Sequence, residues 1–343
     1  MLRAIIIAWL ITSASGFYAA APGAGGFSPD ASTEHDLTVE GARMHYLDEG
    51  SGRTVVFVHG NPGSLGDYSA VVHSASRRFR VIAFDRPGHG RSDSPAAGFD
   101  TAETQAALLH ECLEKMGVRE PVLVGHSWGG ALVLAYAIQF PKDVSGIVLL
   151  APAAYPEKEG EGIAKTLARV PVVGDLLLLT SKPFVRREIK HGLEEAFAPA
   201  RVPPRYLKES ESQWAKTGEV KATLRDEATL NASLSMLGPK YDSIRPPVVI
   251  VTGDSDLIVN PQTNAHALHR AVKGSRLVVL RRAGHEIQLT HPRAVLNAIG
   301  MIFQKRRTSK LRREEMRLKK KSGQNRLLQA GGSDLTLVAP DYK

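Results

Sequence analysis

One short segment, Gly-His-Ser-Trp-Gly at residues 125–129, combines residue types that could support nucleophilic catalysis. An apolar run precedes it and an alanine-rich run follows it, which is typical of a strand that turns sharply into a helix. Such a G-x-S-x-G turn exposes the hydroxyl of its serine, here Ser127, at the edge of a sheet. Serine is a poor nucleophile without a neighbouring base. The prediction therefore depends on finding that base and its partner elsewhere in the chain.

Histidine is well suited to accept the serine proton, and His285 is the best placed of the 12 histidines. It follows a predicted strand and lies in a glycine-containing loop. Asp256, which follows another predicted strand, is the favoured acceptor for the histidine N–H, with Asp254 in reserve. Because loops at the carboxyl ends of parallel strands converge on one crevice, we expect Ser127, Asp256 and His285 to meet there.

Two backbone N–H groups are candidates for stabilising negative charge on a substrate oxygen. Trp128 begins the helix predicted after the serine, where N–H groups lack partners within the helix. The second donor is expected from the loop after the predicted strand at 54–58, in the segment His-Gly-Asn-Pro-Gly at 59–63. The backbone N–H of Asn61 is the most suitable group in that loop.

The remaining histidines near these loops, and the single cysteine, are expected to have structural roles. His126 adjoins the serine in sequence, but its side chain should point elsewhere. His59 and His89 lie in predicted turns, where we expect hydrogen bonds to backbone groups. With only Cys112 in the chain, an intramolecular disulfide and a thiolate metal cluster are both excluded. A catalytic thiol is not expected, since no activating partner is near it in the sequence.

Apolar runs typical of strands alternate with helix-like segments along most of the chain. The runs that predict strands lie at 54–58, 80–85, 122–125, 146–150, 248–253 and 277–280. Their alternation with helices predicts an α/β fold with a mostly parallel, doubly wound sheet. A β-hairpin turning at Glu40-Gly41 is expected before the first of these strands. Asp100 and Glu103 have the spacing of a capping box, which predicts the start of one helix.

The strand pattern is interrupted in the middle of the chain. Residues 153–245 contain helix-like stretches and almost no strand signal, so we predict that they form a helical cap. The α/β core is then formed by 36–152 and 246–304. Residues 1–35 are expected to be a signal peptide or membrane anchor followed by a linker, and 305–343 a basic, disordered tail.

The N-terminal residues predict a location outside the cytoplasm. Arg3 is followed by an apolar stretch and then by small residues, and no charge occurs from Ala4 to Pro29. This arrangement resembles a secretory signal or an uncleaved anchor. We therefore expect an exported or membrane-anchored protein rather than a cytoplasmic one. A start codon placed too far upstream, or a buried N-terminal segment, is the alternative.

The positive charge of the chain is concentrated in the tail. Residues 305–326 contain eleven Lys/Arg and two Glu, and the rest of the chain has 33 basic and 33 acidic residues. The net charge of +9 is therefore a property of the tail and does not indicate specific nucleic-acid binding. Together with the N-terminal segment, the tail makes an anionic membrane surface a candidate partner. The sequence does not predict an oligomeric state.

Five segments occur in the order found in one large family. They are HGNPG at 59–63, DRPGHGRS at 85–92, GHSWGG at 125–130, GDSD at 253–256 and GH at 284–285. From about residue 36 to 303 the chain resembles the α/β-hydrolase fold superfamily, in its serine-nucleophile branch. The resemblance implies a triad of Ser127, Asp256 and His285, an oxyanion hole at Asn61 and Trp128, and a lid over the site. It implies neither a metal nor an organic cofactor.

Two features are similar to another branch of that superfamily. HGNP and the tryptophan after the nucleophile occur in haloalkane dehalogenases and epoxide hydrolases, which use an aspartate where this chain has Ser127. A serine would form an ether that resists hydrolysis, so those reactions are not expected. Proline iminopeptidases share the Ser-Trp turn, but usually carry glycine in place of Asn61.

The resemblance implies a serine hydrolase that cleaves a carboxylic ester through an acyl-enzyme. The apolar character of the predicted cap favours a small or medium hydrophobic substrate. Hydrolysis of a carbon–carbon bond in a diketone-like substrate, and amide hydrolysis of the aminopeptidase type, are alternatives that could use the same triad. A non-catalytic binding module that keeps the fold is less favoured, because all three triad positions are filled.

Overall fold

Eight strands form a single sheet in a computed structural model that describes residues 33–94, 98–156 and 182–306. Their order across the sheet is β1-β2-β4-β3-β5-β6-β7-β8. The strands are β1 (Glu34–Val39), β2 (Ala42–Gly50), β3 (Thr54–Val58), β4 (Arg80–Phe84), β5 (Val122–His126), β6 (Gly146–Leu150), β7 (Val248–Gly253) and β8 (Arg276–Leu280). All the strands predicted from apolar runs are therefore present, each within a few residues of its expected bounds.

The first two strands are antiparallel and the other six are parallel to one another. β1 and β2 form the predicted hairpin, and its two turn residues, Glu40 and Gly41, have φ angles of 50° and 74°. Positive φ at both central residues is the geometry of the two-residue turns that match strand twist. β2 pairs antiparallel with β4, and β3 to β8 pair in parallel. The carboxyl ends of β3 to β8 therefore lie at one edge of the sheet.

Helices cover both faces of the sheet. The core helices are α1 (Ser69–Ser76), α2 (Ala102–Lys115), α3 (Trp128–Gln139), α7 (Ala267–Ala271), α8 (Ile287–Thr290) and α9, which spans 292–306. One cluster of buried side chains packs α2 and α3 on the sheet, and a second packs α1 and α9 on its other face. Consecutive β5 residues alternate between the two clusters, with Leu123 in the first and Val124 in the second. The predicted doubly wound α/β fold is confirmed.

The start of α2 differs by one residue from the predicted capping box. Thr101 has extended backbone, with φ −101° and ψ 160°, and its hydroxyl accepts the backbone N–H of Thr104 at 3.2 Å. The Thr104 hydroxyl accepts the N–H of Thr101 in return, also at 3.2 Å. A threonine pair thus provides the reciprocal bonds expected from Asp100 and Glu103. That prediction is wrong, because the chain enters the helix one residue later.

Three further helices lie between β6 and β7, in the region predicted to be a cap. They are α4 (Lys182–Phe197), α5 (Pro204–Trp214) and α6 (Thr217–Leu237), and we call them the cap helices. Leu193, Phe197 and Trp214 form a small apolar cluster where α4 meets α5. Among residues 153–156 and 182–245, the described part of the predicted cap, there is no strand.

Both predicted terminal segments fall largely outside the described residues. The described residues begin at Thr33 and end at Arg306, so the predicted leader and most of the basic tail lie outside them. In the part of the chain that is described, no helix has both the length and the apolar character needed to cross a membrane.

Cys112 is buried on α2, and burial raises the pKa of its thiol to about 12.

Candidate active site

The backbone at Ser127 forms a sharp turn between β5 and α3. Its φ of 51° and ψ of −118° lie outside the regions that side-chain-bearing residues favour. The Ser127 N–H donates to the carbonyl of Leu150 at 3.0 Å, and its carbonyl accepts the N–H groups of Gly130 and Ala153 at 2.8 and 3.1 Å. Strain of this kind persists where surrounding bonds fix the conformation, which is common at functional sites.

The two glycines of the motif are required by close backbone contacts. A Cβ atom on Gly125 would overlap the carbonyl group of Gly129. A Cβ on Gly129 would overlap the carbonyl oxygens of Val58 and His59, at the end of β3. The first helical turn of α3 can therefore press against β5 and β3 only when both positions lack side chains. This explains the G-x-S-x-G spacing around Ser127.

His285 and Asp256 are joined by a buried hydrogen bond. The imidazole Nδ1 lies 2.8 Å from Oδ2 of Asp256, and the two side chains are 5% and 0% exposed. The other carboxyl oxygen of Asp256 accepts the backbone N–H groups of Ile258 and Val259 at 2.8 and 2.9 Å. These bonds hold the carboxyl group in one orientation toward the imidazole.

Asp254, the reserve candidate, lies in a different environment. It is exposed, and its Oδ1 accepts the backbone N–H of Arg282 at 2.7 Å and the hydroxyl of Ser255 at 2.8 Å. The bond from Ser255 lowers the pKa of this carboxyl below its usual value. Asp254 thus stabilises the loop, while Asp256 is the acid that contacts His285.

Ser127 and His285 line the same cavity, which has a volume of about 300 Å³. Much of its wall is apolar, with Ile189, Leu193 and Ala196 contributed by α4. Trp214 of α5, together with Pro62 and Ile258 from core loops, adds to this wall. The structure therefore brings the three predicted triad residues to one site, with Asp256 behind the histidine.

His126 and α4 hold the backbone of His285 in place. The backbone N–H of His285 donates to the carbonyl of Ala196 at 2.8 Å, and its carbonyl accepts Nε2–H of His126 at 3.1 Å. Burial, and next the positive charge that His285 carries when it is protonated, hold the pKa of His126 well below its usual value. His126 is therefore neutral, and its Nδ1 can accept the amide of Gln288 at 3.3 Å. His126 thus has the predicted structural role, but its side chain also lines the cavity that Ser127 lines, so the expectation that it would point elsewhere is wrong.

A second acid, Glu286, lies beside His285 and was missed by the sequence reasoning. It is buried, lines the cavity and accepts the side-chain amide of Gln288 at 2.6 Å. Burial raises the pKa of Glu286 above its usual value. Burial also raises the pKa of Asp67 well above its usual value, and the nearby charge of Glu286 raises it further. The one signal in the sequence that could have identified Glu286 is its position directly after His285, the predicted base.

The two predicted oxyanion-hole residues flank Ser127. Trp128 is the first residue of α3, and Asn61 lines the cavity together with Ser127. A Cβ atom built on Gly60 would lie 3.1 Å from Cβ of Ser127, so the loop that carries Asn61 passes close to the serine. The Trp128 indole is buried outside the cavity lining, and its Nε1–H donates to the carbonyl of Asp226 at 3.2 Å.

The loop that carries Asn61 is held by Arg86 and by cap helix α6. The Arg86 guanidinium donates to the carbonyls of His59 and Gly60 at 3.0 and 2.7 Å, and pairs with Asp226 at 2.7 Å. Both charged side chains are almost fully buried. Removing one partner of such a buried pair typically costs about 3–5 kcal/mol. The pair therefore joins α6 firmly to the candidate site.

His89 completes this connection, and the prediction that it would bond to backbone groups is wrong. Its Nδ1 lies 2.6 Å from a carboxyl oxygen of Glu219, and its Nε2 lies 3.0 Å from one of Asp226. Burial disfavours the charged imidazole, but the bonds to both acids raise the pKa of His89 above its ordinary value. For His59 the prediction is confirmed, since its Nε2 accepts the backbone N–H of Arg86 at 2.9 Å.

Comparison with known proteins identifies the family. The sequence model of the α/β hydrolase fold family matches residues 53–292. An uncharacterised protein of Mycobacterium tuberculosis is 27% identical over 257 residues, covering 72% of this chain and 74% of that protein. Haloalkane dehalogenase 2 of Mycobacterium bovis is 27% identical over 261 residues, covering 75% of this chain and 90% of that enzyme.

Solved structures agree on the fold. An α/β hydrolase fold protein from Burkholderia ambifaria superposes with a TM-score of 0.67 at 23% identity, covering 77% of this chain and 96% of that one. The family's sequence model spans well over half of the 343 residues. The chain therefore belongs to the α/β hydrolase fold family.

Proposed function

We propose that this protein is a serine hydrolase that cleaves the carboxylic ester of a small or medium hydrophobic substrate through an acyl-enzyme. The observation that carries the proposal is the buried bond between His285 and Asp256 at the wall of a cavity that Ser127 also lines. A histidine whose Nδ1–H is bound to a carboxylate keeps its Nε2 available to accept a proton. In this proposal Ser127 is the nucleophile, His285 the base and Asp256 the group that orients the base.

The first half of the reaction transfers the acyl group to the enzyme. Nε2 of His285 takes the Ser127 proton as the serine oxygen bonds to the ester carbonyl carbon, which gives a tetrahedral intermediate. When the intermediate collapses, the carbon–oxygen bond to the alcohol breaks, and the departing oxygen takes the proton from His285. The acyl group remains on Ser127, and the histidine is neutral again.

The second half repeats these steps with water. His285 takes a proton from water as its oxygen bonds to the acyl carbon, and the proton then passes to the oxygen of Ser127 as the carboxylic acid leaves. In both halves, the negative charge on the carbonyl oxygen would be stabilised by the backbone N–H groups of Trp128 and Asn61. The tight approach of the Gly60 loop to Ser127 supports this role for Asn61.

The cavity lining supports a hydrophobic substrate. Its apolar side chains come mainly from cap helices α4 and α5, and Glu188 is an exposed acid among the lining residues. A cavity of about 300 Å³ is at the lower limit of typical small-molecule sites. Such a space accommodates a short or medium acyl chain better than a long one.

The reaction in the name of one relative does not carry over to this chain. Haloalkane dehalogenase 2 of M. bovis aligns over most of its length. By resemblance, enzymes of that kind form their covalent intermediate on an aspartate, whose alkyl ester water can cleave. The position corresponds here to Ser127, and alkylation of its hydroxyl would leave a stable ether. The serine therefore favours acyl transfer.

The proposal is tested by covalent labelling and by a substrate panel. A fluorophosphonate probe should label the protein, and peptide mapping should locate the adduct on Ser127. Steady-state rates should then be measured on p-nitrophenyl esters of increasing acyl length, a diketone and an aminoacyl anilide. Turnover of short and medium esters is expected. Absence of labelling at Ser127 would contradict an acyl-enzyme on that residue. Preferred turnover of the diketone or the anilide would show that the substrate is not an ester.

Gly192 gives a test of the acyl-binding wall. It lies within α4 and lines the cavity, and a Cβ atom built on it would meet no heavy atom within 4 Å. Gly192→Leu should therefore fill the cavity without straining the helix. We expect kcat/KM on an octanoyl ester to fall by about tenfold or more, and kcat/KM on an acetyl ester to change by less than about twofold.

Gly192→Ala is the matched control for this variant. It adds only one methyl group, and should stabilise α4 by about 0.5–1 kcal/mol because alanine is a better helix former. Its ratio of octanoyl to acetyl activity should stay close to that of the unmodified protein. An unchanged ratio in the leucine variant would show that the acyl chain lies elsewhere.

A further inference from the structure

A second, larger cavity lies at the opposite end of the sheet from Ser127. It is an open groove of about 960 Å³ whose lining includes Thr54, Ser145 and Val248. Thr54 and Val248 are the first residues of β3 and β7, and Ser145 directly precedes β6. The groove is therefore built at the amino-terminal ends of the parallel strands, away from the loops that carry the candidate active site.

The lining of this groove is strongly basic. Four of its cations lie in loops near the strand starts: Arg53, Arg119, Lys142 and Arg245. Three more complete the set: Lys273, Lys305 and Arg306. All seven are exposed, and Glu120 is the one acid among the lining residues. We call these seven cations and the surface between them the basic groove.

Several of the cations have partners and several do not. Arg306 pairs with Glu120 at 2.7 Å, and the guanidinium of Arg53 lies 4.0 Å from the centre of the Phe303 ring. Within residues 33–94, 98–156 and 182–306, no acidic partner is found for Arg119, Lys142 or Lys273. The basic groove thus carries uncompensated positive charge at a surface large enough to contact several anions.

We infer that the basic groove docks on the surface of an anionic lipid bilayer. Arg306 is a lining residue of the groove, and residues 307–326, which follow it directly in the sequence, add nine Lys/Arg and two Glu. The basic groove is therefore joined in sequence to the most basic segment of the chain. Each cation near an anionic leaflet contributes about 1 kcal/mol, so cations on a rigid surface and an adjoining basic segment act together.

The lining favours a membrane over a single-stranded nucleic acid. Single-stranded nucleic acids are usually bound by exposed aromatic side chains on which bases stack. The aromatic residue in the groove lining is Phe303, which is 8% exposed and is covered by Arg53. The groove can therefore bind phosphate groups, but offers no surface for stacking bases. Lipid headgroups require only the charge.

Docking through the basic groove would leave the substrate cavity accessible. The groove lies where the parallel strands begin, and Ser127 and His285 lie where β5 and β8 end. A bilayer bound at the groove therefore faces the opposite end of the core from the cavity. Hydrolytic activity on a water-soluble ester should be unchanged by vesicles, so this inference is tested independently of the proposed reaction.

The experiment compares vesicle binding of three full-length proteins. Phosphatidylcholine vesicles with and without about 30% phosphatidylglycerol are sedimented with the protein at low and at high salt. The groove variant combines Arg119→Glu, Lys142→Glu and Lys273→Glu. The control variant combines Arg187→Glu, Arg201→Glu and Lys208→Glu, which reverses three exposed cations in the region of the cap helices.

We expect the unmodified protein and the control variant to bind anionic vesicles, with binding lost at high salt. The groove variant should bind about a hundredfold more weakly, about fivefold for each of the three cations. Equal melting temperatures show that all three proteins are folded. Equal binding by the groove variant would overturn the inference, as would equal loss in the control variant. Binding to single-stranded or double-stranded DNA but not to vesicles would also overturn it.

Discussion

Ser127→Ala is expected to lower kcat on a p-nitrophenyl ester by about 10⁶-fold, as serine removal does in a protease with the same kind of triad. The large effect arises because no other group can form the acyl-enzyme when the hydroxyl is absent. The fold should be unaffected, since alanine is no more strained than serine at a φ of 51°. Labelling by the fluorophosphonate probe should be abolished, and the melting temperature should be unchanged.

Ser74→Ala is a suitable control, because Ser74 is an exposed serine on α1 and is not among the residues that line the cavity. It should retain full activity and labelling. A Ser127→Ala variant that keeps activity within about tenfold of the unmodified protein would exclude Ser127 as the nucleophile, given the size of the effect expected. The ester reaction would then require another group in the same cavity.

Asp256→Asn is expected to lower kcat by about 10⁴-fold, as the equivalent change does in a serine protease. An asparagine amide would donate to Nδ1 of His285 in place of accepting from it. The proton of the imidazole would then sit on Nε2, which could no longer take the proton of Ser127. The rate of fluorophosphonate labelling should fall with kcat, because both depend on activation of the same hydroxyl.

Asp254→Asn separates the two acids of this loop. Asp254 is exposed and bonds to Arg282 and Ser255, so this variant should keep kcat within about threefold of the unmodified protein. The opposite outcome, with an active Asp256→Asn and an inactive Asp254→Asn, would contradict the assignment. Both variants should be compared at equal folded fraction, because the Asp256 side chain also accepts two backbone N–H groups.

The parts of the site that could be predicted from the sequence are those with local patterns. The apolar runs identified the strands because buried parallel strands need side chains that pack on both faces. The spacing of Gly125, Ser127 and Gly129 reflects contacts around one tight turn, so this five-residue segment was enough to predict the turn that carries Ser127. His285 and Asp256 follow strands whose ends must converge at one edge, so their meeting could be predicted from the sequence.

The connections between the cap helices and the core could not be predicted in this way. His89 bonds to Glu219 and Asp226, which are 130 and 137 positions away in the chain. Histidine, glutamate and aspartate are all common on protein surfaces, so no local sequence pattern distinguishes a buried ion pair from an exposed one. The choice between Asp254 and Asp256 was similarly difficult, because it depends on the turn of a short loop.

The contacts of the cap helices have a consequence for protein engineering. Backbone carbonyls of α4 and α6 accept hydrogen bonds from the histidine loop, from Asn61 and from Trp128, at Ala196, Thr223 and Asp226. A chimera that exchanged these helices for those of a relative would change the apolar side chains that line the cavity. It would also change the hydrogen bonds that hold His285, Asn61 and Trp128 in place. Transplanted cap helices would therefore need backbone carbonyl groups at the positions of Ala196, Thr223 and Asp226, whatever side chains they present to the substrate.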